Sequence, residues 1–238
     1  MAGAAALALF GASVAMADVL VVRATGPSAR SYPAGKSLAD AAKVTLQAND
    51  TLVVLDARGT RTLRGPGTFT PGGPAQASRT SLASVTPQRR ARIGAVRSVG
   101  MASSNVPRSP SIWHVDVAKS SNICVTDPAH VTLWRANSAR PVELTVTPNS
   151  GRARTVSLAG GQATAPWPAD LAIADGAGYR LGWAGAPAPT TITFRTLPAK
   201  PTALNDMAAS LIQHGCDAQL DLLIETVKLP EDNATPSG

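Results

Sequence analysis

The residues best suited to covalent chemistry are two cysteines, Cys124 and Cys216, with His214 two positions before the second. A cysteine nucleophile needs a base beside it, and His214 is near enough in sequence to serve. In an oxidising compartment, an even number of cysteines instead favours pairing. In the chain-entropy model, a disulfide closing a loop this long stabilises a fold by roughly 4–5 kcal/mol. We therefore predict a Cys124–Cys216 disulfide and keep the thiol–histidine pair as the alternative.

A second acid–base pair lies on a predicted strand, where His114 and Asp116 alternate to the same face. A carboxylate in this position can orient an imidazole, and the many serines of the chain could complete a triad. Alternation alone, however, places any residues i and i+2 together. The three histidines, His114, His130 and His214, lack the spacing of zinc ligands. We predict no enzyme activity, no catalytic residue, no metal and no cofactor.

The four tryptophans are candidates for binding, and all of them fall between residues 112 and 198. Aromatic rings stack on sugars, although tryptophans buried in a β-sandwich are more common. Trp167 stands between Pro166 and Pro168, which indicates a loop and an exposed ring. We therefore take Trp167 as the candidate stacking platform for a glycan.

The positive charge is concentrated in the first half of the chain. Residues 19–112 hold 13 Lys and Arg against 3 acids (+10), and residues 113–238 hold 9 against 11 (−2). With Asp18 these values sum to the net charge of +7. A basic segment can hold a polyanion, or it can be a solvated tether. Arg89, Arg90 and Arg92 are the candidate contacts for envelope polyanions, and we expect no nucleic-acid partner.

The amino terminus indicates export. Residues 2–14 are apolar and small, and AMA at residues 15–17 is typical of a signal-peptidase site, so we predict a signal peptide at residues 1–17. The run has no Lys or Arg before it, which a start codon placed too late would explain. No later stretch approaches the roughly 18 apolar residues of a spanning helix. We expect a periplasmic or secreted protein with no stable membrane span after cleavage.

Composition favours a mainly β fold. With 20 Gly and 19 Pro in 238 residues, long helices would be interrupted repeatedly. Strand-like runs occur at VLVV (19–22), VTL (44–46) and TLVVL (51–55), and DARG at residues 56–59 turns the last of these into TRTLR (60–64). Residues 51–64 are therefore predicted to form a β-hairpin with its turn at 56–59.

The first unit, residues 18–70, resembles the FecR-like β-module. The similarity lies in YPAGKSL (32–38), VTLQANDTLVVLDARGTRTL (44–63) and GPGTF (65–69), where glycine-bearing turns separate short strands. FecR-like proteins relay signals to sigma factors from beneath a membrane anchor. The resemblance implies a small β-domain with a sensory or interaction role, and this chain has no predicted anchor.

The remaining boundaries follow from changes in composition. Residues 71–111 form a Ser-, Pro- and Arg-rich linker, in which residues 86–96 could form a short helix. Alternating strands separated by turn signals predict a β-sandwich at residues 112–198. Helix-spaced apolar residues predict a helical hairpin at 199–229, with Pro201 at the first helical position and Asp217 capping the second helix, before a disordered tail at 230–238.

Two functions from different classes fit these features. The first is an exported, non-catalytic envelope protein that acts as a protein-interaction or sensory accessory module. The alternative is a binder of envelope polyanions or glycans, such as cell-wall polymer, through the basic half and Trp167. Charge of this kind favours polyanions, whereas an exposed tryptophan favours sugar rings.

Overall fold

The computed structural model describes residues 18–73, 108–198 and 200–229. The predicted signal peptide at 1–17, linker residues 74–107 and the tail at 230–238 lie outside these ranges. The described chain is mainly β and ends in two helices, which confirms the predicted fold class of β-sheets with a β-sandwich and a carboxyl-terminal helical hairpin. Neither of these helices is long and apolar enough to cross a bilayer.

Six strands form the first unit, and its central strand is buried on both faces. They are β1 (Asp18–Thr25), β2 (Ser37–Ala39), β3 (Val44–Leu46), β4 (Thr51–Asp56), β5 (Gly59–Arg64) and β6 (Gly67–Phe69). The main sheet is antiparallel in the order β2-β1-β4-β5, and β3 pairs with β6. In β1, Val19 and Val21 face the core of this unit, whereas Leu20 and Val22 face a second core. Two-sided burial explains why the run is continuously apolar.

The β4–β5 turn is held by a buried aspartate. The Asp56 carboxylate accepts hydrogen bonds from the backbone N–H groups of Arg58 and Gly59 and from both arginine side chains, Arg58 and Arg61. Burial alone would raise the pKa of Asp56, but these hydrogen bonds outweigh it and hold the pKa below its usual range. Arg61 also donates to the carbonyls of Pro71 and Gly73 and so fastens the end of the unit to its hairpin.

Eight strands form the β-sandwich. They are β7 (His114–Asp116), β8 (Ser121–Val125), β9 (Thr132–Trp134), β10 (Val142–Pro148), β11 (Arg154–Leu158), β12 (Thr164–Pro166), β13 (Gly178–Gly182) and β14 (Thr190–Thr196). One sheet has the order β11-β10-β13-β14-β8 and the other β12-β9-β7. Most neighbours are antiparallel, but β14 pairs with β8, and β7 with β9, in parallel. Phe194, Leu133 and Leu181 lie fully buried between the sheets.

The sandwich contains a buried arginine that serves as a hydrogen-bond donor to loops. Arg135 donates through its guanidinium to the backbone carbonyls of Gln162, Arg140 and Ala159 at 2.6–2.9 Å. Burial of an unpaired charge is costly unless its donors are satisfied. Here backbone carbonyls satisfy them, and the loops on both sides of β10 and β11 are tied together.

The two helices are α1 (Leu204–Gln213) and α2 (Asp217–Thr226). Helix α1 begins three residues later than predicted, because the chain at Pro201 is still non-helical. Asp217 lies in the first turn of α2 and does not cap it; Cys216 occupies the cap position, and its side chain makes no capping hydrogen bond. Gly215, at a φ of 64°, makes the left-handed turn between the helices, as is typical after a helix end.

A second core gathers residues from every part of the described chain. Leu20 and Leu55 of the first unit and Cys124 of the sandwich meet Leu211 and Leu220 of the helices. The carboxyl end continues the contact, because Thr60 of β5 donates its N–H to the Val227 carbonyl and accepts from the Leu229 N–H. The helical pair therefore joins the two β units.

Candidate functional site

Helix α2 borders a cleft of about 290 Å³ between the β units. Its walls come from the segment between Arg108 and Ile123, from α2 between Ala218 and Glu225, and from Arg23 of β1. We call it the α2 cleft. Three parts of the chain that are distant in sequence build it, so its shape depends on the way α2 is held.

Gln219 and the disulfide fix α2 in place. Cys124 and Cys216 are both fully buried and form a disulfide with a Cα–Cα distance of 5.9 Å, as predicted. Beside it, the Gln219 amide accepts from the Cys124 N–H at 2.6 Å and donates to the Cys124 carbonyl at 2.9 Å. The same amide nitrogen donates to the Ile112 carbonyl at 2.8 Å. Gln219 thus pairs with the outer edge of β8 in the manner of a neighbouring strand.

The charged residues of the α2 cleft neutralise one another. Arg23 pairs with Asp221. Arg108 pairs with Glu225 at 2.9 Å, and Lys119 pairs with Asp116 at 3.3 Å. Every basic residue that lines the cleft therefore has an acidic partner that also lines it. The basic members are at least half exposed, and these pairs form a solvated rim around the apolar part of the cleft.

The apolar part consists of isoleucine and leucine side chains. Ile123 is buried, and Ile112, Leu222 and Ile224 are half-buried where they line the cleft. This arrangement, an apolar centre inside a polar rim, is the usual anatomy of a small protein-binding pocket.

His114 also lines the cleft. Burial lowers the pKa of His114 below its ordinary 6.5, so the imidazole is neutral near pH 7. Its Nδ1 is buried and has no hydrogen-bond partner among the described residues. Ser109 and Ser121 line the same cleft, but Ser109 donates to the Ser111 carbonyl. The cleft brings a histidine and two serines together, and in the described part of the chain no hydrogen bond joins them as base and nucleophile.

The alternative of a cysteine nucleophile is wrong, because both cysteines are consumed in the disulfide. His214 lies at the end of α1, where its Nδ1 is 2.9 Å from the Ser210 carbonyl. His130 is exposed and contacts Asp127 at 2.6 Å. Within the described ranges, no three His, Cys, Asp or Glu side chains are grouped as a metal site would require.

The expectation that Trp167 is exposed is wrong. The residue is 8% exposed, and its Nε1 donates to the Leu171 carbonyl at 2.9 Å. The ring meets Tyr179 and Phe194 edge to face at centroid distances of 4.8 and 5.0 Å. The inward alternation of β12 continues through Trp167 although the strand ends at Pro166, so the flanking prolines mark the end of a strand and not an exposed loop. Trp167 is thus a core residue and offers no platform to a sugar.

Arg89, Arg90 and Arg92 lie outside the described residues, and polyanion binding through them stays a prediction. Sequence reasoning missed Gln219 and the paired charges of the cleft. The one signal in the sequence was the position of Gln219, three residues after Cys216, since a disulfide draws its neighbours into the core; in the structure Gln219 is buried. Comparison of the chain with models of protein families, with curated proteins and with solved structures found no match.

Proposed function

We propose that this is an exported, non-catalytic envelope protein that acts as a protein-interaction or sensory accessory module, with the α2 cleft as its contact site. The observation that carries the proposal is the cleft itself, in which self-paired charges surround half-buried Leu222 and Ile224. An apolar centre supplies binding energy when a partner's side chain fills it. Because the charges of the rim already pair with one another, the cleft does not require a charged ligand.

Export is supported by the disulfide. A buried disulfide persists in secreted and periplasmic proteins and is rare where cytosolic thiols are kept reduced. The apolar residues 2–14 followed by AMA support the same compartment. The FecR-like turn pattern of residues 18–70 supports a sensory or accessory role. Periplasmic or secreted location remains part of the proposal.

A cleft of about 290 Å³ is too small to hold a protein face and suits one or two anchoring side chains of a partner. Buried anchors of this kind contribute most of the binding energy in protein interfaces. The partner is therefore expected to insert an apolar side chain between Ile112 and Leu222, and its polar groups would meet the ion pairs of the rim.

Site-specific crosslinking in the native cells tests this function. A photoreactive amino acid at Leu222, inside the cleft, should yield a discrete crosslinked product. The same amino acid at Ser150, an exposed turn residue of the sandwich, is the matched control and should yield none. Leu222→Glu should remove the product obtained from a second probe at Lys119. Recovery of the chain without a crosslinked partner from the probes at Leu222 and Lys119 would contradict the proposal.

A further inference from the structure

A second concave surface lies on the outer face of the β-sandwich, away from α2. It is a groove of about 330 Å³ across β10 and β13. We call it the Trp183 groove; the lining residues that matter are Glu143, Thr145, Thr147, Arg180, Gly182 and Trp183. In the sheet, Gly182 stands opposite Thr145 and Arg180 stands opposite Thr147, so these four positions form a flat patch with a glycine at one corner.

Gly182 has no explanation in the fold. Its φ does not lie in the left-handed region, and a Cβ built on it would meet no atom of the described residues within 4 Å. By contrast, a Cβ on Gly178, in the same strand, would lie 2.5 Å from Asn149. Glycine within a strand costs about 0.5–1 kcal/mol relative to alanine. Such a glycine often marks a place where a ligand approaches the backbone closely.

The side chains around Gly182 have the chemistry of a sugar site. Trp183 is half-buried, packs against the sandwich core and lines the groove. Thr145 and Thr147 offer hydroxyl groups. Aromatic rings provide a large rigid surface with little loss of conformational entropy, and hydroxyl groups both donate and accept hydrogen bonds.

The charges of the groove are balanced. Arg180 is exposed and forms no ion pair among the described residues. Glu143 accepts a hydrogen bond from the Ser157 hydroxyl at 2.9 Å, which restrains its carboxylate. One cation and one anion favour a neutral ligand with several hydroxyl groups over a polyanion.

We propose that the Trp183 groove binds a neutral pyranose ring of a glycan, stacked on Trp183, with one edge against the backbone of Gly182. Arg180 donates hydrogen bonds to the hydroxyl groups of the sugar, and Glu143 accepts hydrogen bonds from them. The groove volume, at the lower end of the range for small-molecule sites, suits one or two sugar rings. This inference is independent of the α2 cleft, which lies on different elements.

Calorimetric titration of the full chain with chitohexaose and with cellohexaose tests the proposal. Both are neutral β-1,4-linked glycans, and a preference for the first would mean that the acetamido group is recognised. Trp183→Ala should weaken binding at least about tenfold, because the stacking surface is lost. Failure of both oligosaccharides to bind the wild-type chain would overturn the proposal.

Gly182→Val is the sharper variant, because it fills the groove and is expected to leave the fold intact. The open space around Gly182 accepts a β-branched residue, which also favours a strand. We expect affinity to fall at least about tenfold while the melting temperature stays the same or rises. Thr155→Val, at an exposed position on the neighbouring β11, is the matched control and should keep wild-type affinity. Wild-type affinity in Gly182→Val would overturn the proposal.

Discussion

At the scale of single residues, His114 links the α2 cleft to pH. Burial lowers the pKa of the folded imidazole, whereas the unfolded chain takes up a proton near the ordinary value of 6.5. Below that value the unfolded state therefore binds more protons than the folded state. By linkage, the free energy of unfolding must decrease as pH falls through this window.

His114→Phe should remove that contribution. We expect the wild-type free energy of unfolding to decline relative to that of the variant as pH falls from about 7.5 to about 5, since only wild type has the shifted imidazole. Urea denaturation at a series of pH values measures both, with the m-value as a check that the unfolding transition is unchanged. Parallel pH profiles for the two proteins would contradict this account of His114.

The burial of Trp167 could not be predicted from the residues next to it in sequence. Trp167 and Trp183 both lie near turns, and local sequence favoured exposure of the first. In the structure Trp167 is enclosed by Tyr179 and Phe194, which belong to strands of the opposite sheet. Its burial is thus decided by sheet packing, which local prolines do not encode.

At the scale of elements, several strands of the first unit were predictable from runs of valine, leucine and threonine, and strand β8 of the sandwich was not. The predicted runs at 44–46 and 51–55 match β3 and β4 to within one residue. Strand β8 was missed, because SNICV does not alternate. Its two faces are covered by the sandwich core and by the helices, and its partner β14 is parallel and about 70 residues away.

The attachment of α2 depends on one glutamine. Gln219→Ala removes three hydrogen bonds and leaves the Cys124 N–H and carbonyl buried without a partner. A buried unsatisfied group costs roughly 1–3 kcal/mol, so we expect a loss of about 3 kcal/mol in the free energy of unfolding. Chemical denaturation measures it, and Gln213→Ala, at an exposed end of α1, should change stability by less than about 0.5 kcal/mol. Equal losses in the two variants would show that Gln219 has no special role.

At the scale of the whole molecule, the disulfide closes a loop of 92 positions around the sandwich. The double variant Cys124→Ala, Cys216→Ala should lose roughly 4–5 kcal/mol of stability, because the unfolded chain regains the freedom that the cross-link removes. Alanine is chosen since both positions are fully buried and a serine hydroxyl would lack a partner. Equilibrium unfolding under non-reducing conditions measures the loss. An unchanged unfolding midpoint would mean that the cross-link does not constrain the unfolded state.

The arrangement of the units could be predicted only in part. Composition indicated a first β unit, a sandwich and a helical pair, and the cysteines indicated that the pair is tied to the sandwich. The contact between the helices and β1 was not foreseen. It depends on Leu20 and Val22, which in sequence look like ordinary members of a strand core and in the structure face Leu211.

The bridge between Thr60 and Lys228 has a consequence for the order in which the chain is made. Synthesis delivers β5 140 residues, and β1 179 residues, before the helices that contact them, since α1 begins only at Leu204. Until then Leu20, Val22 and Leu55 lack their contacts with the helices, and the outer edge of β5 is open to pairing with another strand. The nascent chain therefore exposes these apolar side chains and this strand edge until residues 204–229 have been made.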